Sequence, residues 1–321
     1  GRPKLSAADL LGGIGKKDKA KSADKSKSLL DIHRAQNINI MLAKFSRISM
    51  EELALGTLQL DIKNLDVSAI SALQQYIPTP EENKILQNHV KDDASLIPAL
   101  GKAERYILEM SKVPRLEQRL SVMWFCLGIR ETLTQLERSS QVMLTAVGEV
   151  TGSVRFKCIL QVILELGNVL KNGGVVATAP AASDSKGFKF TSLSKIIQTK
   201  SNKGENILEY IVGKLYTGSP EMLQIQSDLP SMSEAVQVSF VKLTAELNRM
   251  KAGLVSLQEL HESDKVLLSK PDPASLPVAA STITKMEEMI QEFNELIGSA
   301  TDNFTAASTD YQELLTYLGE S

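Results

Sequence analysis

Residues 280–318 read ASTITKMEEMIQEFNELIGSATDNFTAASTDYQELLTYL. Within them Ile283, Met286, Ile290, Phe293, Ile297, Ala300, Phe304, Ala307, Tyr311, Leu314 and Leu318 follow at alternating steps of three and four. That rhythm keeps one apolar seam on an α-helix and leaves the charges outside it. An upstream stretch repeats it through Phe240, Leu243, Leu247, Met250, Leu254 and Leu257. Pro271, Pro273 and Pro277 stand between the two. Proline lacks an amide proton and clashes with the preceding turn, so the spacing predicts two long helices folded back on each other. A helix of this length reaches about 50 Å at 1.5 Å per residue. Such a rod either buries only its own seam or holds two binding surfaces apart. The hairpin alone leaves both readings open.

Outside the hairpin the composition points the same way. Leu, Ile, Met, Ala, Glu and Lys dominate, and no alternating run bounded by hairpin turns reads as a strand, so the fold class is expected to be all-α and elongated. A 43% apolar fraction supplies a core, while the net charge of −2 gives no global pull toward nucleic acid or anionic lipid. The longest apolar run, from Ile159 to Leu170, is broken by Gln161 and Glu165 and is too short to cross a bilayer, so no membrane insertion is expected. No leader-like segment opens the sequence, and Cys126 and Cys158 sit singly inside helical patterns. Both observations suggest a reducing compartment, cytosol or nucleus.

Residues 1–28 carry Lys16, Lys17, Lys19, Lys21, Lys25 and Lys27 among Ser, Ala and Asp, and are expected to form a flexible linker. Residues 29–321 then form one helical body. The first helix is expected over Leu29 to Phe45, with Ala35, Ile38, Met41, Leu42 and Phe45 on its inward face. Ile40 falls roughly 160° from the centre of that face. It is either covered by a second layer of the protein or left for a partner.

Shorter helices are expected over Glu51 to Leu60, Val67 to Tyr76, Glu81 to Val90 and Lys102 to Met110. A long one should run from Pro114 to about Val150, with a stripe of Leu116, Leu120, Met123, Leu127, Ile129, Leu133, Leu136, Met143 and Val147. The next, from Val154 to about Leu170, is apolar nearly all round, which predicts a central position. Gly167-Asn168 and Gly173-Gly174 should end it, since Gly and Asn accept the left-handed C-cap conformation. A low-complexity loop follows, then a helix from about Glu205 to Tyr216. Lys195, Lys200 and Lys203 form a small basic patch, either a solvated face or a contact.

Catalytic chemistry is hard to find. His33, His89 and His261 lie far apart with no ligand spacing, and there is no nucleophile elbow, HExxH pair, CxxC pair or dinucleotide fingerprint. Gly12-Gly13-Ile14-Gly15-Lys16 fails as a phosphate loop because Leu10 and Lys17 replace the required Gly and Ser/Thr. With no basic stripe interleaved with aromatics, nucleic acid is not an expected partner. The chain is expected to be no enzyme, to need no cofactor or metal, and to work by presenting surfaces.

The order of motifs resembles one family. Arg34-Ala35-Gln36-Asn37-Ile38-Asn39-Ile40-Met41-Leu42, Pro80-Glu81-Glu82, Val113-Pro114-Arg115-Leu116, Leu166-Gly167-Asn168, Gly187-Phe188-Lys189 and Thr199-Lys200-Ser201 are together similar to the formin homology-2 domain. The resemblance spans residue 29 to the end. It implies an all-α body with a knob (about 29–112) and coiled-coil and post regions (about 113–321), located in the cytoplasm on the cytoskeleton. It also implies a ring-like homodimer, closed by an N-terminal lasso around the partner's post, that nucleates actin filaments and stays on the growing barbed end.

By residue, the resemblance implies actin contact for Ile40 and Lys200, with Asn37 and Arg34 beside Ile40. It implies a post that receives a lasso for Gly167, Asn168, Gly187 and Phe188. The sequence departs from the family in having Val169 and Lys171 where Tyr and Asn are usual. The only tryptophan is Trp124, so the tryptophan-bearing lasso is missing, as is the proline-rich tract through which profilin would be recruited. These departures point to a fragment of a longer formin, monomeric as given. The alternative reading is a helical scaffold or tethering module acting by self-association without actin.

Overall fold

The computed structural model describes residues 29–91, 93–173, 184–200, 204 and 206–320. The expected linker over 1–28 lies outside the described residues, as do Gly174, Ser201 and Lys203. Among the described residues there is no strand, only an isolated antiparallel bridge between Lys200 and Asn206. The fold is all-α.

Local chemistry starts the N-terminal helices. Asp31 caps α1 (Ile32–Leu42) by accepting from the Arg34 amide. Ser49 with Glu52 closes a capping box on α2 (Met50–Leu58), and Thr79 with Glu82 closes another on α4 (Pro80–Val90), where Pro80 takes the first helical position. Each box satisfies amides that the helix itself cannot. With α3 (Val67–Gln75) and α5 (Lys102–Ser111) these helices bury Ile38, Met41, Leu42, Leu53, Ile70, Leu86 and Tyr106 in one core.

Three long helices carry the rest. They are α6 (Leu116–Gly152), and, near the C-terminus, α11 (Phe240–Ser269) and α12 (Ala280–Tyr317). The α12 seam is buried as its spacing predicts at Ile283, Met286, Phe293, Ile297, Ala300, Ala307 and Leu314. That seam is shared, however: α12 packs on α6 as well as on α11, so the hairpin is two-thirds of a three-helix rod. Phe125 of α6 meets Phe293 of α12 edge-on at 5.6 Å between ring centroids. Cys126 is buried in the same layer, and burial pushes its thiol up to about 12, so it stays protonated and inert.

The main core runs from the N-terminal helices into the first half of the rod. It then thins to two small clusters, one around Met143, Ala146, Ala235 and Ala307, the other around Val147, Val150 and Leu314. At this thin end lie α7 (Val154–Lys171), α8 (Leu193–Gln198), α9 (Ile207–Gly218), a 3₁₀ segment (Pro220–Asp228) and α10 (Met232–Ala235).

Here the expectation of a central α7 is overturned. No residue of α7 is fully buried. Its main neighbour is the 3₁₀ segment, which is too small to cover an all-round apolar helix, so Ile159, Leu160, Ile163, Leu164 and Leu166 remain half-exposed. His261 is buried on the α11–α12 seam and faces Glu262 and Glu287.

Candidate functional site

The outward face of α1 is built by what its inward face does. Ile38, Met41 and Leu42 point into the core, and the helical period turns Ile40 the other way, where it is 72% exposed. Asn37, one turn earlier, is also exposed. An isoleucine kept in water forgoes about 1.5–3 kcal/mol of burial, so it is available to a partner. No second layer among the described residues covers it.

Arg34 behaves differently. Its guanidinium pairs with Glu82 and donates to the Ile77 carbonyl at 2.8 Å. Burial works against the Glu82 carboxylate, but the Arg34 hydrogen bond and the Thr79 amide outweigh it and hold Glu82 below its ordinary range. Arg34 is thus occupied inside the molecule, clamping the start of α4 to α1.

The second surface lies at the other end of the rod. The Asn168 side chain accepts from the Ser185 amide at 2.8 Å and donates to the Ser185 carbonyl at 3.0 Å, so one amide group fastens the returning chain to α7. Asn172 adds a bond to Asp184 at 2.8 Å. Gly173, with φ of 72°, supplies the left-handed turn after the helix. Gly167, Asn168, Gly187 and Phe188 are thereby brought together with Ile163 and Ile196 around a mostly apolar groove of about 230 Å³. Phe190 donates its amide to the Leu318 carbonyl at 3.3 Å, which ties this lobe to the end of α12.

Lys200 stands next to that groove in sequence but outside it. It is held by an isolated antiparallel bridge to Asn206 and by the Ile207 amide donating to the Thr199 carbonyl at 3.1 Å. Lys200 is exposed, as are Lys186, Lys189 and Lys195, and no acidic residue occurs between Asp184 and Lys200. The two surfaces are well separated. Helices α2 and α3 dock near the start of α6 and the second lobe near its end, so the step from Arg119 to Val150 covers roughly 45 Å of helix.

The Formin Homology 2 Domain family matches residues 3–321. The chain belongs to that family. Disheveled-associated activator of morphogenesis 2 from Gallus gallus is 28% identical over 292 residues, covering 90% of this chain and 26% of the relative. Formin-like protein 20 from Arabidopsis thaliana is 34% identical over 238 residues, covering 74% of this chain and 14% of that protein. Formin-like protein 16 from the same plant is 26% identical over 313 residues, with 97% and 41% covered. This formin homology 2 chain therefore spans less than half the length of these curated relatives.

Two features of the formin homology 2 chain had no usable signal in sequence. One is the apolar exposure of α9, where only Ile211 is buried while Tyr210 and Tyr216 face solvent. The other is a buried ion pair between Arg119 of α6 and Asp264 of α11, 145 residues apart. A charged pair at that separation has no periodicity to betray it. No helix among the described residues is long and apolar enough to cross a membrane.

Proposed function

We propose that this chain is an actin-assembly module that nucleates filaments and holds their barbed ends by binding rather than by chemistry. The observation that carries the reading is Ile40, turned to solvent between buried neighbours at one end of a stiff rod. Lys200 and its neighbouring lysines present positive charge at the other end. An apolar anchor supplies affinity, and a lysine steers and orients an acidic partner. Asn37 lies beside the anchor, while Arg34 serves it indirectly by holding α1 and α4 together. The role is placed in the cytoplasm, on the cytoskeleton.

The groove at Gly167, Asn168, Gly187 and Phe188 is read as the seat of a segment from a second copy, which makes the working form a homodimer. Val169 is half-buried and Lys171 points outward from the same helix, so the departures from the usual motif leave the groove itself open. The exposed apolar residues of α9 favour self-association too. Self-association as the whole function, without actin, is the competing reading.

An actin binding and assembly assay separates them. Ile40→Ala is expected to weaken actin binding by about 2 kcal/mol, roughly thirtyfold, as for an interface anchor. Helicity and melting should stay as in the parent, because the side chain contacts no core. Parental actin binding by Ile40→Ala would sink the proposal. Lys200→Ala is expected to weaken binding by about 1 kcal/mol at low salt, with the difference vanishing as ionic strength rises. Its stability should change by no more than about 0.5 kcal/mol, so a larger loss in a urea titration would mark the lysine as structural.

A further inference from the structure

The last carbonyls of α2 have an unusual set of partners. Within the helix and its turn, Leu55 accepts from the Gln59 amide, Gly56 from Asp61 and Thr57 from Leu60. The next three carbonyls accept from the rod, although Leu60 also accepts from the Ile62 amide at 2.9 Å. Leu58 accepts from Arg119 of α6 at 2.9 Å, and Gln59 and Leu60 accept from Lys285 of α12 at 3.1 and 2.7 Å. Leu60 reaches this arrangement with a φ of 51°, a left-handed conformation that costs a leucine free energy and is sustained by its surroundings.

Arg119 also donates to the Pro114 carbonyl at 2.8 Å and pairs with Asp264 of α11. Two rod helices, α6 and α12, therefore meet the end of one lobe helix through charged groups, and α11 braces the first of these through Asp264. Cations suit a helix C-terminus, where the carbonyls lack partners and the dipole is negative. Apolar packing alone is non-directional and lets a lobe slide or tilt, whereas hydrogen bonds fix distance and angle.

We infer that Arg119 and Lys285 are positioning residues: they set the bearing of the N-terminal lobe on the rod, and so the span between Ile40 and the Lys200 surface. This rests on the two-surface reading above. Neither residue need touch actin. Two linked contacts reinforce each other by about 10²–10⁴ only when geometry lets both engage. A loosened joint would forfeit part of that gain while leaving each contact intact.

Lys285 is the residue to change, since it is half-exposed and methionine keeps its stem. Spin labels on Glu51→Cys and Asp310→Cys, in a Cys158→Ser background, report the distance from lobe to far rod. The parent should give one narrow distribution. Lys285→Met should broaden it and slow actin assembly by about tenfold, a fraction of the reinforcement. Binding through Ile40 alone, measured on monomeric actin, should be retained, and Lys285→Arg should restore both readouts.

An unchanged distribution in Lys285→Met overturns the inference, as does a Lys285→Arg variant that rescues neither readout. A Lys285→Met chain that is unfolded at assay temperature also overturns it, because the lysine would then be holding the fold together. If the distribution broadens but Ile40→Ala assembles actin normally, the joint stands and the two-surface reading falls.

Discussion

Asp264→Ala is expected to lower the folding free energy by about 3–5 kcal/mol, the cost of leaving a buried charge without its partner. Asp264 and Arg119 are both 0% exposed, so water cannot replace the lost carboxylate. Asp264 engages through Oδ1, while its Oδ2 has no hydrogen-bond partner among the described residues. Arg119 would keep its bonds to Leu58 and Pro114, but those carbonyls are neutral and do not offset a full positive charge.

Urea unfolding reads the change directly. A double replacement, Asp264→Leu with Arg119→Met, should recover much of the loss, since a well-packed apolar pair often matches a buried ion pair. Recovery will be incomplete because the buried Leu58 carbonyl loses its donor, at about 1–3 kcal/mol, and the partly buried Pro114 carbonyl loses one too. A single-variant cost below about 1 kcal/mol would show that the pair is solvated rather than buried.

Gly253→Ala is expected to destabilise by about 1–2 kcal/mol, against the usual sign for this substitution. In the interior of a helix, alanine in place of glycine gains roughly 0.5–1 kcal/mol. At Gly253 an added Cβ would lie 2.7 Å from both Cγ and Cε2 of Phe125, well inside contact distance. The ring cannot swing away freely, because it is buried and held edge-on by Phe293. Overpacking of this kind costs about 1–3 kcal/mol and sometimes more, so it wins over propensity.

The control is internal. Gly148 of α6 and Gly298 of α12 are exposed and would meet nothing within 4 Å, so alanine there should raise the melting temperature. Phe125→Leu combined with Gly253→Ala should cost less than the sum of the two singles, as contacting residues do. Additivity in that cycle would contradict the packing described.

Much of this molecule is legible from spacing. The α1 face that buries Ile38, Met41 and Leu42 and turns Ile40 outward follows from 100° per residue. So do the seams of α11 and α12 and the stripe of α6, because helical periodicity is a property of near neighbours. Capping is local too: Thr79, Pro80 and Glu82 sit within four residues and start α4 without help from the rest of the chain. The departures have one cause. An all-round apolar pattern in α7 says that the helix wants cover, not that this chain provides it. The half-exposed result marks the lobe as one with apolar surface left over. Long-range pairing is equally hidden from spacing: the Arg34 guanidinium meets Glu82, 48 positions away.

What the residues alone determined is the long helices, their approximate limits and the direction most apolar faces take, since those depend on neighbours within a turn or two; the short α8 and α10 were not among them. What only the tertiary structure decided is which faces meet. It made α6 the third strut of the rod, gave Arg119 its partner on α11 and Lys285 its carbonyls on α2, and gathered Gly167, Asn168, Gly187 and Phe188 around one groove. Such pairings join groups tens to hundreds of residues apart, and periodicity carries no record of them. They are selected by the free energy of burying whole faces together, which no local stretch of chain can express.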